Sequence, residues 1–159
     1  RVDDDTCPQP SDVQGQVLLN METLWQQAYP SECVVVRPTG IYGTSVTRMI
    51  KLAETTKSYP KLHWSNRIHI DDLVAFLAHL LHVEHTEKSY ICSNSQPLPL
   101  HEIIQWFQQQ LGLPVFILES DVPSGKQIYA SRMQQMNFEL QHPHCFDDYL
   151  ALLAERESK

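Results

Sequence analysis

"VVVRPTGIYG", residues 34–43, joins a continuous β-branched run to a loop punctuated by Gly40 and Gly43. That pattern predicts a buried parallel strand that delivers its carboxyl end to a ligand in a doubly wound sheet. Such a sheet usually carries a phosphate-cradling Gly-x-Gly-x-x-Gly turn earlier in the chain. The five glycines (15, 40, 43, 112 and 125) never take that spacing. The opening "RVDDDTCPQPSD" is polar, lacks a starting Met and reads as cut from something longer.

A chain of 159 residues suits one domain, 1–159, with a core of ordinary size. At 42% hydrophobic and 19% charged it reads as soluble and globular. A net charge of −7 argues against nucleic acid or an anionic membrane surface as the main partner. No apolar run approaches the roughly 18 residues of a membrane span, and no signal segment opens the chain. The four cysteines (7, 33, 92, 145) are scattered without a Cys-x-x-Cys pair. Cys33 and Cys92 sit in apolar runs, so free buried thiols and a reducing, cytoplasmic setting are expected.

The residues around the opening stretch alternate between helix and strand patterns. Pro10 followed by Ser11 and Gln14 suggests a capping box, opening a helix that ends before Pro30. Its stripe is Val17, Met21, Leu24 and Ala28, with Leu18 and Trp25 beside it. Thr44 or Ser45 is placed to cap a second helix with the stripe Val46, Met49, Ile50 and Ala53. "KLHWSNRIHI" (61–70) alternates as a half-exposed strand does, and Asp71 then stands at an N-cap position. "KSYICSN" predicts a strand, "PLHEIIQWFQQQLG" a helix stopped by Gly112, "PVFILES" a further strand and "DVPSGK" a loop. Ser131 is placed to cap a short helix, and "CFDDYLALLAE" is an amphipathic last one. The order argues for an α/β fold with a largely parallel sheet.

Three segments, in order, carry a family resemblance, and a stretch near the C-terminus adds to it. "RPTGIYG" (37–43) is similar to the Arg-Pro-x-x-aliphatic-Tyr-Gly loop of extended short-chain dehydrogenase/reductases, the nucleoside-diphosphate-sugar epimerase/dehydratase group. "NRIHIDDLVAFL" (66–77) resembles that group's aliphatic-His-aliphatic-x-Asp element, and "SYICSNSQPLPLHEII" (89–104) the strand, turn and helix that follow. "SRMQQMNFEL" (131–140) resembles the late Leu-Gly-Phe segment, with Met136-Asn137 in place of Leu-Gly. The resemblance spans nearly the whole chain but only the C-terminal half of the family's. It implies the C-terminal part of a Rossmann-type fold with the small substrate-side subdomain, the Gly-rich βαβ unit being absent.

The resemblance also implies roles. Backbone groups of Pro38, Thr39, Gly40 and Ile41 would line the nicotinamide pocket, with NAD or NADP held in the intact protein and none by this chain alone. Asn66, Arg67 and His69 would face a nucleotide-sugar-like substrate. Two departures stand out. The family's catalytic Tyr-x-x-x-Lys pair, counted back from Glu22, falls on Gln14 and Leu18, which cannot move a proton or hold a charge, so the catalytic residues are unassigned. The Arg that grips the substrate diphosphate in the family falls on Ser65, and Arg67 is the nearby candidate to replace it. An atypical branch lacking the Tyr/Lys pair fits best, either as the substrate half of an epimerase/reductase-like protein or as a non-catalytic binding or assembly module. A homodimer, or pairing with the missing N-terminal half, is expected, the first helix supplying a dimer face.

Other polar groups have plainer readings. Asp71-Asp72 read as an N-cap and a first-turn acid, not catalytic carboxylates. His69 is equally a ligand-facing or a structural histidine. His79, His82 and His85 fan around a helix end, and "HPHC" (142–145) reads as a loop, so no metal site is expected. Tyr42 reads as packing.

Overall fold

The structure, a computed structural model, describes residues 1–157. Its elements are α1 (Val13–Ala28), β1 (Val35–Pro38), β2 (Gly40–Tyr42), α2 (Thr47–Thr55), β3 (Ser58–Tyr59), β4 (His63–Ser65) and β5 (Arg67–His69). They continue with α3 (Ile70–Leu80), β6 (Ser89–Cys92), β7 (Leu98–Pro99), α4 (Leu100–Gln110), β8 (Ile117–Leu118), β9 (Ser124–Gly125), α5 (Ser131–Gln135) and α6 (Cys145–Glu157).

Helix starts follow local chemistry, with shifts of a residue or two. Asp12, not Ser11, caps α1: its carboxylate accepts the Gly15 N–H at 2.7 Å. In α2 the N-cap position falls on Val46, which has no capping side chain, rather than on Thr44 or Ser45; the Ser45 hydroxyl, one residue earlier, accepts the Thr47 N–H at 3.1 Å. At α3 the expected cap Asp71 is already helical. His69 takes the role through Nδ1, which accepts the Asp71 N–H. Gly112 follows α4 with φ +64, the left-handed conformation that stops a helix.

The strands pair mostly in parallel: β1 with β6, β2 with β5, β3 with β8 and β4 with β9. The β4–β7 pair is antiparallel. The long strand expected over 61–70 is broken at Asn66 into β4 and β5, which belong to different sheets. Its β5 part is not half-exposed, since Arg67, Ile68 and His69 are all buried, whereas β4 runs from exposed His63 to half-buried Trp64 and Ser65. The expected 114–120 strand keeps only β8.

Two apolar cores result. One joins α2, α4 and α6 through Val46, Ile50, Ala53, Ile104, Phe107, Tyr149 and Leu153. The other packs α3 and α5 under β5 and β6 through Ile68, Phe76, Tyr90, Cys92 and Met133. The cysteines are free, with Cys92 and Cys145 buried, but Cys33 only half-buried and outside β1. Burial pushes the Cys92 thiol up to about 12, so it stays protonated. Among the described residues no helix is long and apolar enough to cross a membrane.

Candidate functional site

Two cavities open beside the loop that follows β1, and Gly40 and Asn66 line both. Gly40 is needed there: a Cβ would lie 3.0 Å from the Asn66 carbonyl oxygen, which accepts the Gly40 N–H. The first cavity, about 330 Å³, is lined by Pro38, Thr39 and Gly40 at the carboxyl end of β1. Residues 1–9 run over it as a strap. Val2 exchanges backbone hydrogen bonds with the 127–129 segment. Asp4 accepts from the Ile91 N–H, the Ser131 hydroxyl and the Arg132 N–H. Sequence reasoning missed this strap, although its Asp3-Asp4-Asp5 run was visible. Ile41 does not line the first cavity but the second.

The second cavity, about 280 Å³, lies between β2, α2, β4–β5 and α6. Arg67 is on its wall and only 6% exposed. Its guanidinium donates to the Ser65 hydroxyl at 2.7 Å and approaches the Cys145 Sγ at 3.8 Å. Among the described residues no carboxylate pairs with this buried cation. Arg48, on α2, adds a second, exposed guanidinium. Tyr42 and Tyr149 complete the apolar side. Burial pushes the Tyr149 phenol up to about 12, with Arg67 pulling the other way. A buried guanidinium without an acid partner favours an anion in the space it faces.

Asn66 and His69 are placed differently from Arg67. The Asn66 amide donates to the Lys126 carbonyl and accepts from the Ile128 N–H, so its polar atoms fix the 126–128 segment. His69 lines neither cavity. Its ring caps α3 and lies against Gly43 (φ +115), where a Cβ would come within 2.2 Å of Nε2. Gln14 and Leu18, on α1, are exposed and line neither cavity.

Behind the second cavity, His69 stacks on His142, centroids 3.7 Å apart and planes 17° from parallel. His142 Nδ1 is 2.6 Å from Asp148 Oδ1, and the Tyr42 hydroxyl donates to Asp148 Oδ2 at 2.6 Å. Asp72, far from being a simple first-turn acid, is 1% exposed and accepts the Gln141 and His142 N–H groups. His69, His142 and Asp148 hold nitrogen and oxygen atoms within 4.8 Å of one another. Near-parallel stacked rings direct their in-plane lone pairs side by side, and Asp148 is already shared by His142 and Tyr42. The arrangement is a hydrogen-bonded chain rather than a coordination sphere. Burial and Asp148 push the Tyr42 phenol far above its ordinary range, so it donates a hydrogen bond and does not ionise. The 79/82/85 histidines are not on one helix: α3 ends at Leu80.

Neither a family model nor a curated protein matches this sequence. Solved structures do. A protein designated NAD-dependent epimerase/dehydratase from Methylobacillus flagellatus is 32% identical with a TM-score of 0.85, over 98% of this chain and 58% of that one. The dTDP-glucose 4,6-dehydratase of Bacillus anthracis, in complex with NAD, is 15% identical with a TM-score of 0.74, over 99% and 57%. MoeE5 in complex with UDP-glucuronic acid and NAD is 16% identical with a TM-score of 0.68, over 88% and 54%. The structural neighbours are thus NAD-dependent epimerase/dehydratases and related short-chain dehydrogenase/reductase-like proteins. The chain has the α/β fold of their C-terminal part and spans less than two thirds of their length.

Proposed function

We propose that this chain is the substrate-side half of an NAD(P)-linked nucleoside-diphosphate-sugar protein, and that the cleft beside Arg67 takes the diphosphate. The observation that carries this reading is the buried Arg67 guanidinium resting on the Ser65 hydroxyl. Ser65 is the position at which the resemblance places the missing diphosphate-gripping Arg, so the side chain two residues on fills the vacated place. Arg48, which lines the same cleft, supplies a second charge to the anion. NAD or NADP in the intact protein would lie along Pro38, Thr39 and Gly40 in the strap-covered cavity. There the exposed backbone suits the flat nicotinamide ring, which supplies hydride chemistry when bound.

A non-catalytic binding role has its own support. Gln14 and Leu18, where the resemblance puts the proton-transfer pair, carry no titratable group, and both face outward. We therefore favour binding without turnover by this chain. A cytoplasmic setting accords with the free thiols. A homodimer is the partner we favour, through the outward apolar face of α1.

Calorimetry with UDP-glucose, and with a dTDP-sugar, tests the cleft. Binding is expected, weakened about 10- to 100-fold by Arg67→Met and less by Arg48→Gln, as charged hydrogen bonds to phosphate are lost. Absence of binding at millimolar ligand would overturn the reading. Hydride transfer by the intact protein, followed at the nicotinamide absorbance, would overturn the non-catalytic part alone.

A further inference from the structure

The chain of polar groups behind the Arg67 cleft joins β2, α6 and the segment before α6, and the Tyr42 hydroxyl also lies 3.5 Å from the His142 carbonyl oxygen. Tyr42 ends β2 and lines the cleft. Asp148 lies in the first turn of α6, next to Tyr149, which also lines it. Asp148 is held from both sides, by the Tyr42 hydroxyl and by His142 Nδ1, each at 2.6 Å. The backbone under His142 is anchored independently, because Asp72 accepts the N–H groups of residues 141 and 142. The imidazole can therefore change its charge while its main chain stays tethered.

We propose that the Tyr42–Asp148–His142 chain is a proton-dependent clasp on the α6 wall of the Arg67 cleft, with His142 and Asp148 as positioning residues. The proposal rests on the cleft being an anion site. The groups facing His142 are largely acidic. Asp148 comes from α6; Asp71, with Oδ2 3.8 Å from Nε2, and Asp72 come from α3. His69 stacks from β5. His69 Nδ1 accepts the Asp71 N–H, which fixes the ring against which His142 stacks. Tyr42, from β2, remains a phenol donor on the far oxygen of Asp148.

Protonated, His142 is a charge-assisted donor that fixes Asp148, and through the helix it fixes Tyr149 against the cleft. Deprotonated, it keeps one neutral hydrogen bond and loses the ionic attraction, so the start of α6 loosens. The hydrogen bond that His142 donates to Asp148, together with the charges of Asp148, Asp72 and Asp71, outweighs desolvation and raises His142 above its ordinary value. A raised imidazole stabilises the closed form fully below about 6.5, and that contribution is lost as pH climbs through the raised value. The clasp is closed in mild acid and open in mild base.

The test is calorimetric titration of the chain with UDP-glucose between pH 5.5 and 8.5. This probe is chosen because its diphosphate is doubly esterified and does not titrate in that window. Affinity is expected to fall about five- to tenfold from pH 6 to pH 8, a modest coupling. His142→Asn, which keeps a donor near Nδ1 but cannot titrate, is expected to give a flat profile. Asp148→Asn is expected to move the midpoint down toward an ordinary imidazole. Proton NMR of the His142 ring C–H follows the same midpoint. A flat wild-type profile, or an identical slope in His142→Asn, overturns the clasp and leaves the anion cleft standing. No binding at any pH overturns the cleft and this proposal with it.

Discussion

Helices α1 and α4 are both amphipathic in sequence, and they meet opposite fates. Helix α4 buries His101, Ile103, Ile104, Phe107 and Gln108, and Phe107 is fully enclosed between α2 and α6. The Gln108 amide donates to the Ala53 and Thr56 carbonyls and accepts the Phe116 N–H, whereas Nδ1 of His101, the other buried polar residue of α4, has no hydrogen-bond partner among the described residues. Helix α1 buries nothing. Its apolar residues stand in solvent, Leu24 at 65% and Trp25 at 57% exposed. It is held by the Arg37–Glu22 ion pair and by Gln26 donating to the Lys88 carbonyl. Apolar periodicity thus marks a face that wants covering, but does not say whether this chain supplies the cover.

Three substitutions can break or sharpen that contrast. Phe107→Ala should cost about 3–5 kcal/mol in urea unfolding, because α2, α4 and α6 all close on that ring. A loss below about 1 kcal/mol would mean that the α4 face is no better packed than the α1 face. Asp12→Ala removes the only side-chain cap recorded for α1 and should cost about 1 kcal/mol of helix stability, read by circular dichroism and thermal melting. Leu24→Lys should change monomer unfolding by no more than about 0.5 kcal/mol. In sedimentation it should weaken self-association roughly tenfold or more, as loss of a central interface residue does. A wild-type chain that stays monomeric at tens of micromolar would remove the second copy as the cover for α1.

Much of the fold was legible because it rests on short-range rules. The β-branched run 34–36, the stripe Val46–Ile50–Ala53 and the Gly112 stop each announce themselves within a few residues. The boundaries drifted where two polar residues competed, as when Asp12 took the cap from Ser11. The reading of 61–70 as one half-exposed strand held over β4 and failed over β5, for a different reason. Alternation in Arg67-Ile68-His69 suggested an exposed polar face, but Arg67 turns toward Ser65 and Cys145 while His69 lies under His142. A polar side chain is buried when distant partners satisfy it, and periodicity carries no record of such partners.

The site divides the same way. Pro38, Thr39, Gly40 and Arg67 could be singled out because their motif is contiguous or nearly so, and each lines a cavity. The strap over the first cavity and the Tyr42–Asp148–His142 chain could not. Tyr42 and Asp148 are 106 positions apart, and nothing in either neighbourhood requires the other.

By itself the sequence determined the alternation of helices and strands and the carboxyl-end loop at 37–43. These follow from side-chain chemistry and spacing along one stretch of backbone. Tertiary structure alone decided which polar groups are buried, which cavity each loop residue lines, and that α1 keeps its apolar face outward. Those outcomes depend on which distant surfaces close on one another, because burial and hydrogen-bond satisfaction belong to the packed chain rather than to any segment of it.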